Sequence, residues 1–232
     1  MITVISLGGS IIAPANVDEE YLAQFVFAVN ELLQENQQQK FIFVVGGGGP
    51  ARAWQKAYTA VVNSLKQESI ASDADWIGIM ATRLNAQLVK AAFGSLCGED
   101  VVTDPSAKIT FNSRILVAAG WKPGFSTDND AVLLAKKFNA KMVINLSNIE
   151  KVFTADPRND PSAKPIDKIS WNEFRALVGD NWTPGKNVPF DPVASKNAQE
   201  ANLEVICAAG KNIENLKNII KGLPFTGTQI AG

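Results

Sequence analysis

The sequence has no histidine among its 232 residues. Histidine is the usual general base near neutral pH and a common metal ligand, so its absence excludes His-based proton transfer, phosphohistidine chemistry and His-containing metal sites. Cysteine is nearly as scarce, because Cys97 and Cys207 are the only two and form no CxxC motif. This spacing favours a reduced cytoplasmic protein over a disulfide scaffold.

Long apolar runs and an excess of charge of one sign are also missing. No apolar stretch approaches the roughly 20 residues that a membrane-spanning helix needs. The apolar opening Met1–Leu7 lacks the basic flank and cleavage site of a secretory signal. The formal net charge is −1, which provides no broad basic field. We therefore expect a soluble protein with no membrane or nucleic-acid partner, in which any phosphate site is local.

Short apolar strands alternate with amphipathic helices along the chain. This order predicts an α/β protein, a three-layer α/β/α sandwich with a mainly parallel central sheet. The predicted strands are Ile2–Leu7, Phe41–Val45, Val101–Val102, Ile115–Ala118, Met142–Leu146, Glu204–Cys207 and an edge strand at Thr226–Ile230. The predicted helices are Asp18–Glu35, Ala51–Val62, Asp75–Phe93, Thr127–Phe138, Trp171–Val178, Val193–Ala201 and Ile213–Lys221. Asn16 or Asp18 could cap the first helix, and the order from Thr127 to Asp130 is typical of a capping box.

Two glycine clusters follow the first two strands, at residues 8–9 and 46–49. Glycine lets backbone N–H groups approach an anion, and ligands of parallel sheets bind beyond the carboxyl ends of the strands. A tight turn would explain one cluster alone, whereas two clusters at one edge predict two phosphate cradles. The P-loop motif is absent. Gly46, Gly48 and Ala51 fit a dinucleotide fingerprint, so an oxidoreductase remains the alternative of different chemistry, although a lone match of this kind is weak.

Several short motifs occur in the order seen in amino-acid kinases, and in detail they resemble uridylate kinases of the archaeal type. The motifs are Leu7-Gly8-Gly9-Ser10, Val44-Val45-Gly46-Gly47-Gly48, Asp75-Trp76-Ile77-Gly78, Thr82-Arg83-Leu84-Asn85-Ala86, Phe125-Ser126-Thr127-Asp128, Phe153-Thr154-Ala155-Asp156-Pro157 and Asp191-Pro192-Val193-Ala194-Ser195-Lys196. The resemblance implies one amino-acid-kinase-like domain over residues 1–232. It places an acceptor lobe at about 1–138 and an ATP lobe at about 139–232.

The resemblance implies an acceptor site for UMP in the first lobe. The backbone at Gly47 would bind the acceptor phosphate, and Asp75 would accept hydrogen bonds from the ribose hydroxyls. The hydroxyl groups of Ser126 and Thr127 would bind the pyrimidine edge. For Asp75 the plain alternative is a carboxylate that favours a helix N-terminus. The implied acceptor residues are Gly47, Asp75, Trp121, Lys122, Pro123, Gly124, Phe125, Ser126 and Thr127.

The resemblance implies an ATP site in which Phe153 lies along adenine, Asp156 accepts from ribose or base, and Arg52 binds phosphate. The plain alternatives are ordinary loop packing for Phe153, an Asp-Pro turn for Asp156 and a solvated surface position for Arg52. The implied ATP-binding residues are Gly9, Ser10, Gly48, Arg52, Ser147, Asn148, Phe153 and Asp156.

The implied reaction passes the γ-phosphoryl group of ATP to UMP, with Mg²⁺ as cofactor and no dedicated set of protein metal ligands. Phosphoryl transfer needs positioning and charge neutralisation more than covalent help. Lys196 would stand near the transferring group, and Asp128 and Asp191 would orient that lysine or a magnesium-bound water. From composition alone, Lys196 would be an exposed helix lysine.

The chain departs from the family pattern at a few positions. Ser6 stands where many members carry a lysine. The archaeal uridylate kinases also tend to lack that lysine. Glu150-Lys151 replaces the usual Asp-Gly, Phe153 replaces a tyrosine, and the acceptor loop carries Trp121 and Lys122. An acetylglutamate- or carbamate-kinase-like enzyme and a storage subunit that binds nucleotide or oxyanions therefore remain alternatives. The resemblance also implies a role in pyrimidine nucleotide synthesis and a homo-oligomer, a hexamer.

Overall fold

The computed structural model of the protein describes residues 1–179 and 188–232. The strands are β1 (Ile2–Leu7), β2 (Lys40–Val45), β3 (Ile115–Ala118), β4 (Met142–Ser147), β5 (Val152–Phe153), β6 (Pro165–Ile166), β7 (Lys168–Ile169), β8 (Glu204–Ala209) and β9 (Thr228–Ile230). The α-helices are α1 (Gly9–Ile12), α2 (Glu19–Glu35), α3 (Gly48–Ser64), α4 (Ala71–Phe93), α5 (Thr127–Lys137), α6 (Trp171–Val178), α7 (Pro192–Glu200) and α8 (Ile213–Lys221).

One sheet of seven strands, in the order β3-β2-β1-β4-β8-β9-β7, runs through both predicted lobes. The five strands from β3 to β8 are mutually parallel, β9 is antiparallel to β8, and β7 is parallel to β9. A separate antiparallel pair joins β5 to β6. The loops after β1, β2, β3, β4 and β8 therefore all leave the sheet at the same edge, where the site is expected.

Alternate residues of the strands enter two separate cores, one on each face of the sheet. Ile5 and Phe43 join the core beneath α1, α2, α4 and α8. Val4 and Val44 join the opposite core, which contains Trp171 of α6. Both faces are therefore covered by helices, which confirms the predicted three-layer sandwich with a mainly parallel sheet. Across the described residues, no helix combines the length and apolar character needed to cross a membrane.

Two of the predicted strands are wrong in detail. At Val101–Val102 only Val102 pairs, in a single bridge to Ala118, because Asp104 begins a turn by accepting from the N–H and hydroxyl of Ser106. β9 is not an edge strand, because it lies between β8 and the two-residue strand β7. A strand as short as β7 has no sequence pattern that could reveal it.

The capping interactions also correct the sequence-based prediction for α5. Ser126, not Thr127, is the N-cap, and its hydroxyl accepts from the N–H of Asn129 at 3.2 Å. Asp130 forms no capping box; its Oδ2 accepts from the N–H of Trp121 at 3.1 Å. For α2, Asp18 is the cap and accepts from the N–H of Tyr21 at 2.9 Å.

Candidate active site

A cleft of about 680 Å³ opens at the edge where the parallel strands end. It is lined by five of the residues that the resemblance assigned to the ATP or catalytic set, together with the predicted acceptor residue Thr127. The five are Asp128, Ser147, Asn148, Phe153 and Asp156. A groove of about 960 Å³ between α2 and α8 contains none of the predicted site residues. The cleft therefore brings these six predicted residues together, and their roles stay predictions.

Asp128 lies at the inner end of the cleft, where β1 meets the first turn of α5. Its Oδ1 accepts from the Ser6 hydroxyl at 2.9 Å, and its Oδ2 accepts from the N–H of Asp191 at 3.3 Å. Burial raises the pKa of Asp128 to about 6, and the nearby Asp191 adds to that increase. A carboxyl group that titrates near neutral pH inside a cleft is typical of a functional site.

Asp191 has a structural task as well as its place beside Asp128. It is the N-cap of α7, and its Oδ1 accepts from the N–H of Ala194 at 2.7 Å. Burial raises the pKa of Asp191, while bonds from Ala194 and the Ser126 hydroxyl oppose the shift. Ser126 thus links the predicted acceptor loop to the pair of carboxyl groups.

Lys196 is exposed on the second turn of α7 and does not line the cleft. Among the described residues, the ammonium group of Lys196 forms no hydrogen bond or salt bridge, so it is free to meet an anion. Lys196 thus lies on α7, the helix whose N-cap Asp191 is beside Asp128. Its side chain contacts neither carboxyl group.

The two glycine turns pack directly against each other. A Cβ added to Gly9 would lie 2.1 Å from the nitrogen of Gly48, and one added to Gly48 would lie 2.3 Å from the oxygen of Gly9. Gly48 also has φ of +64°, which disfavours other residues. Asn85 donates to the oxygens of Gly46 and Gly47 at 2.8 and 3.1 Å. Close packing therefore explains much of the glycine run, and phosphate binding by these turns stays a prediction.

The segment from Trp121 to Thr127, here called the acceptor loop, is held by side chains of α4. Asp75 Oδ2 accepts from the N–H of Gly124 at 3.2 Å, so two predicted acceptor elements are in contact. Within the loop, the rings of Trp121 and Phe125 lie 4.8 Å apart, and the ammonium group of Lys122 lies 3.9 Å from the centre of the Trp121 ring. The loop leads straight into Asp128, so the predicted acceptor site adjoins the cleft.

Two predicted ATP ligands have partners within the chain. Both carboxylate oxygens of Asp156 accept from the guanidinium group of Arg158, at distances from 2.7 to 3.2 Å. Asp156 also accepts from the N–H of Arg158 at 2.9 Å, which is the Asp-Pro turn that the sequence offered as an alternative. Arg52 is exposed and donates to the carbonyl oxygen of Pro14 at 3.1 Å. Neither Arg52 nor Ser10 lines the cleft.

The prediction missed several residues of the site. Ser6 and Lys151 line the cleft, although the sequence marked both only as departures from the family pattern. Arg83 and Asn85 belong to a motif that carried the resemblance, yet neither was assigned a role. Arg158, which also lines the cleft, lies two residues after Asp156 and had no distinguishing signal.

The family of the chain follows from comparison with known proteins. The model of the amino acid kinase family matches residues 1–209. A uridylate kinase of Methanococcoides burtonii is 34% identical over 223 residues, covering 95% of this chain and 91% of the relative. The crystal structure of uridylate kinase from Archaeoglobus fulgidus superposes with a TM-score of 0.82 at 32% identity, with 100% of each chain covered. The chain belongs to the amino acid kinase family.

Proposed function

We propose that this protein is a uridylate kinase, which transfers the γ-phosphoryl group of ATP to UMP and gives UDP and ADP. The observation that carries the proposal is the position of Asp128. It lines the cleft that contains four of the eight predicted ATP residues, and it directly follows the acceptor loop in the chain. A donor in the cleft and an acceptor on the loop would therefore meet at the N-terminus of α5. The uridylate kinases of similar sequence support UMP as the acceptor.

The acceptor site would combine backbone, hydroxyl and carboxylate groups. Asp75, which lies against Gly124, offers its carboxylate to ribose hydroxyls, and Ser126 and Thr127 offer hydroxyls to a pyrimidine edge. The N-terminus of the 17-residue helix α3 follows Gly47 and favours a phosphate there. A site that hydrogen-bonds one base edge discriminates strongly, because the wrong base leaves buried polar groups unpaired.

The donor side would use the cleft for adenosine and Lys196 for the transferring group. Phe153 offers an aromatic face to adenine, and the loop at Ser147 and Asn148 offers polar groups to the phosphates. Lys196, whose ammonium group has no partner in the described part of the chain, would neutralise charge that develops on the phosphoryl oxygens. The division into an acceptor lobe at about 1–138 and an ATP lobe at about 139–232 is part of this proposal.

The residues of the cleft fit a nucleotide-bound Mg²⁺. Magnesium in kinase sites is held by one or two carboxylates, by water and by substrate phosphates, not by a protein cage. Within the described ranges no group of three or more Asp, Glu or Cys side chains could hold a metal. Asp128 accepts one hydrogen bond at each oxygen, so lone pairs remain for a magnesium-bound water. The ion would neutralise phosphate charge.

We also propose a cytoplasmic homo-oligomer, with a hexamer as the expected state, that serves pyrimidine nucleotide synthesis. The support for an oligomer is an apolar surface on α3 and α4, here called the α3/α4 face, whose side chains are 38 to 71% exposed. Apolar patches of this extent commonly mark protein interfaces. The face comprises Trp54, Val61, Leu65, Trp76, Met80, Leu84 and Leu88. Light scattering with Leu84→Glu, and with Leu223→Glu as the control, tests it: only the first should dissociate the oligomer.

The proposed reaction is tested by a panel of acceptors with ATP and Mg²⁺ in a coupled ADP assay. UMP should be phosphorylated well ahead of CMP, AMP and GMP. Acetylglutamate and carbamate report the related kinase activities, and nucleotide or oxyanion binding without turnover would indicate a storage subunit. Equal rates on CMP and UMP, or activity only on a carboxylate acceptor, would contradict the proposal.

A further inference from the structure

The backbone N–H and the backbone carbonyl group of Trp121 are each held by a charged side chain, and the two side chains come from different helices. Its N–H donates to Oδ2 of Asp130 on α5 at 3.1 Å, and its carbonyl oxygen accepts from Nη2 of Arg83 on α4 at 3.1 Å. Just before it, the N–H of Gly120 donates to the hydroxyl of Thr82 at 2.8 Å. The start of the acceptor loop is thus fixed by three side chains, two of them charged.

Both charged side chains are costly to place there. Asp130 is 1% exposed, and its Oδ1 has no hydrogen-bond partner among the described residues. Nε of Arg83 is also buried and has no hydrogen-bond partner in residues 1–179 or 188–232, while the guanidinium carbon lies 5.7 Å from the centre of the Trp76 ring. Neither group pairs with the other, so they do not form a structural ion pair. Unsatisfied buried polar atoms destabilise a fold, so some function is expected to retain them.

We propose that Asp130 and Arg83 are positioning residues, which hold the backbone N–H and carbonyl group of Trp121 and thereby keep the acceptor loop in the shape that receives UMP. The inference rests on the proposed function for the identity of the acceptor, but not for the holding of the loop. Neither residue touches the reacting atoms in this arrangement. Their effect should therefore appear in acceptor affinity and in loop exchange before it appears in ATP binding.

The charge of Asp130 should matter, because ionised acceptors form stronger hydrogen bonds than neutral ones. Burial raises the pKa of Asp130 to about 7, and the carboxyl groups of Asp128, Asp104 and Asp191 add to the shift. The N–H of Trp121 opposes the shift, because its hydrogen bond favours the ionised carboxylate. Lys122 favours the ionised form of Asp104, and the charge of Asp104 adds to the rise. The hold on Trp121 should therefore strengthen as the pH rises through about 7.

Hydrogen exchange and calorimetry on the full-length protein test the inference. Arg83→Met should speed amide exchange in peptides that cover residues 119–127 and weaken UMP binding about tenfold, with ATP binding changed less than about twofold. Arg83→Lys, which keeps the charge but not the fork of donors, should recover only part of the affinity. Lys90→Met is the matched control, because Lys90 is also a cation of α4 but its hydrogen bond is to Asp100 and not to the acceptor loop. It should change neither readout.

Asp130→Asn separates charge from shape, since an amide oxygen can still accept from Trp121. At pH 8 the variant should bind UMP about three- to tenfold more weakly than the parent, and at pH 6 about equally well. The ionisation of the UMP phosphate near pH 6 affects both proteins and drops out of the comparison. Asp100→Asn is the control for loss of a carboxylate.

Parent-like exchange at residues 119–127 in both Arg83→Met and Asp130→Asn would overturn the inference. Faster exchange with unchanged UMP affinity would also overturn it, because the loop would then not need to be held for the acceptor. If the parent protein failed to bind UMP while the variants still loosened the loop, the proposed function would fail and the positioning role would stand.

Discussion

The Ser6 hydroxyl donates a hydrogen bond of 2.9 Å to Oδ1 of Asp128, which connects the end of β1 to the first turn of α5. The family resemblance implies that many members carry a lysine at the position of Ser6. In this chain the donor to Asp128 at that position is a neutral hydroxyl group. Burial dominates the environment of Asp128 and raises its pKa to about 6, and the Ser6 hydroxyl is the largest influence that lowers it.

Ser6→Ala should move the titration of Asp128 to higher pH. Loss of a hydrogen bond to a carboxylate destabilises its ionised form, and one pH unit corresponds to about 1.4 kcal/mol. We expect the acid limb of the kcat profile to shift upward by about one unit, while kcat at pH 8.5 falls less than about tenfold. Ser64→Ala, which removes only a bond to the carbonyl oxygen of Val61, is the control. An unshifted acid limb would mean that the state of Asp128 does not limit turnover.

Asp130→Asn should make the fold more stable at alkaline pH. The pKa of Asp130 is 3.8 in the unfolded chain and about 7 in the folded one, so the folded protein keeps a proton between these values that the unfolded chain has lost. Unfolding then releases the proton, and the free energy of unfolding falls as the pH rises from about 4 to about 7. The variant has no carboxyl group at this position, so its free energy of unfolding does not fall for this reason. Its stability relative to the parent should rise by roughly 1–3 kcal/mol across that window.

Urea unfolding of both proteins at pH 5 and pH 8 measures the change. Asp128 titrates in both proteins, and its coupling to Asp130 is weaker than the effect of burial, so most of its contribution cancels in the difference between them. A difference that does not depend on pH would mean that Asp130 keeps an ordinary pKa. If the variant is more stable at pH 8 and also binds UMP more weakly, then Asp130 lowers the stability of the fold while it maintains the shape of the acceptor loop.

The sequence could predict the sheet because its strands are continuous apolar runs cut off by glycines. Ile2–Leu7 and Ile115–Ala118 were placed at their observed bounds, and the two faces of the sheet follow from the alternation of residues. Motif order then indicated the family and six of the residues that line the cleft. These features depend on local pattern, which a single sequence contains.

The contacts that join distant segments could not be predicted. Ser6 meets Asp128 across 122 positions and Arg83 meets Trp121 across 38 positions, and no local period indicates either pair. The glycines of the two turns predicted phosphate cradles, but glycine is equally suited to close backbone packing, and the sequence cannot distinguish the two roles. Only the approach of Gly9 to Gly48 shows that packing alone requires much of the cluster.

Gly47 illustrates why the simplest test of a phosphate cradle would mislead. A Cβ added there would lie 2.6 Å from Cβ of Ala51 and 3.2 Å from the oxygen of Gly78. Gly47→Val should therefore destabilise the fold whether or not Gly47 meets a phosphate. Its φ of −84° is ordinary, so an alanine would be strained by contact and not by backbone.

The double variant Gly47→Ala with Ala51→Gly removes the closer contact and keeps the added Cβ. Glycine in α3 costs about 1 kcal/mol, which Ala51→Gly alone measures. We expect the double variant to fold, to bind ATP within about threefold of the parent, and to bind UMP at least about tenfold more weakly by calorimetry. Unchanged UMP affinity would mean that Gly47 serves only the turn.

Lys196→Met should lower turnover by roughly a hundredfold to a thousandfold, or about 3–4 kcal/mol of transition-state stabilisation. Ser6 provides no charge at the end of β1, so Lys196 is the lysine that the family resemblance places at the transferring group. Its side chain is exposed, and Met keeps most of the stem, so the free energy of unfolding should hardly change. Lys136→Met, at another exposed helix lysine, is the control. Turnover is measured at saturating ATP, UMP and Mg²⁺; a value within about threefold of the parent would make Lys196 an ordinary surface lysine.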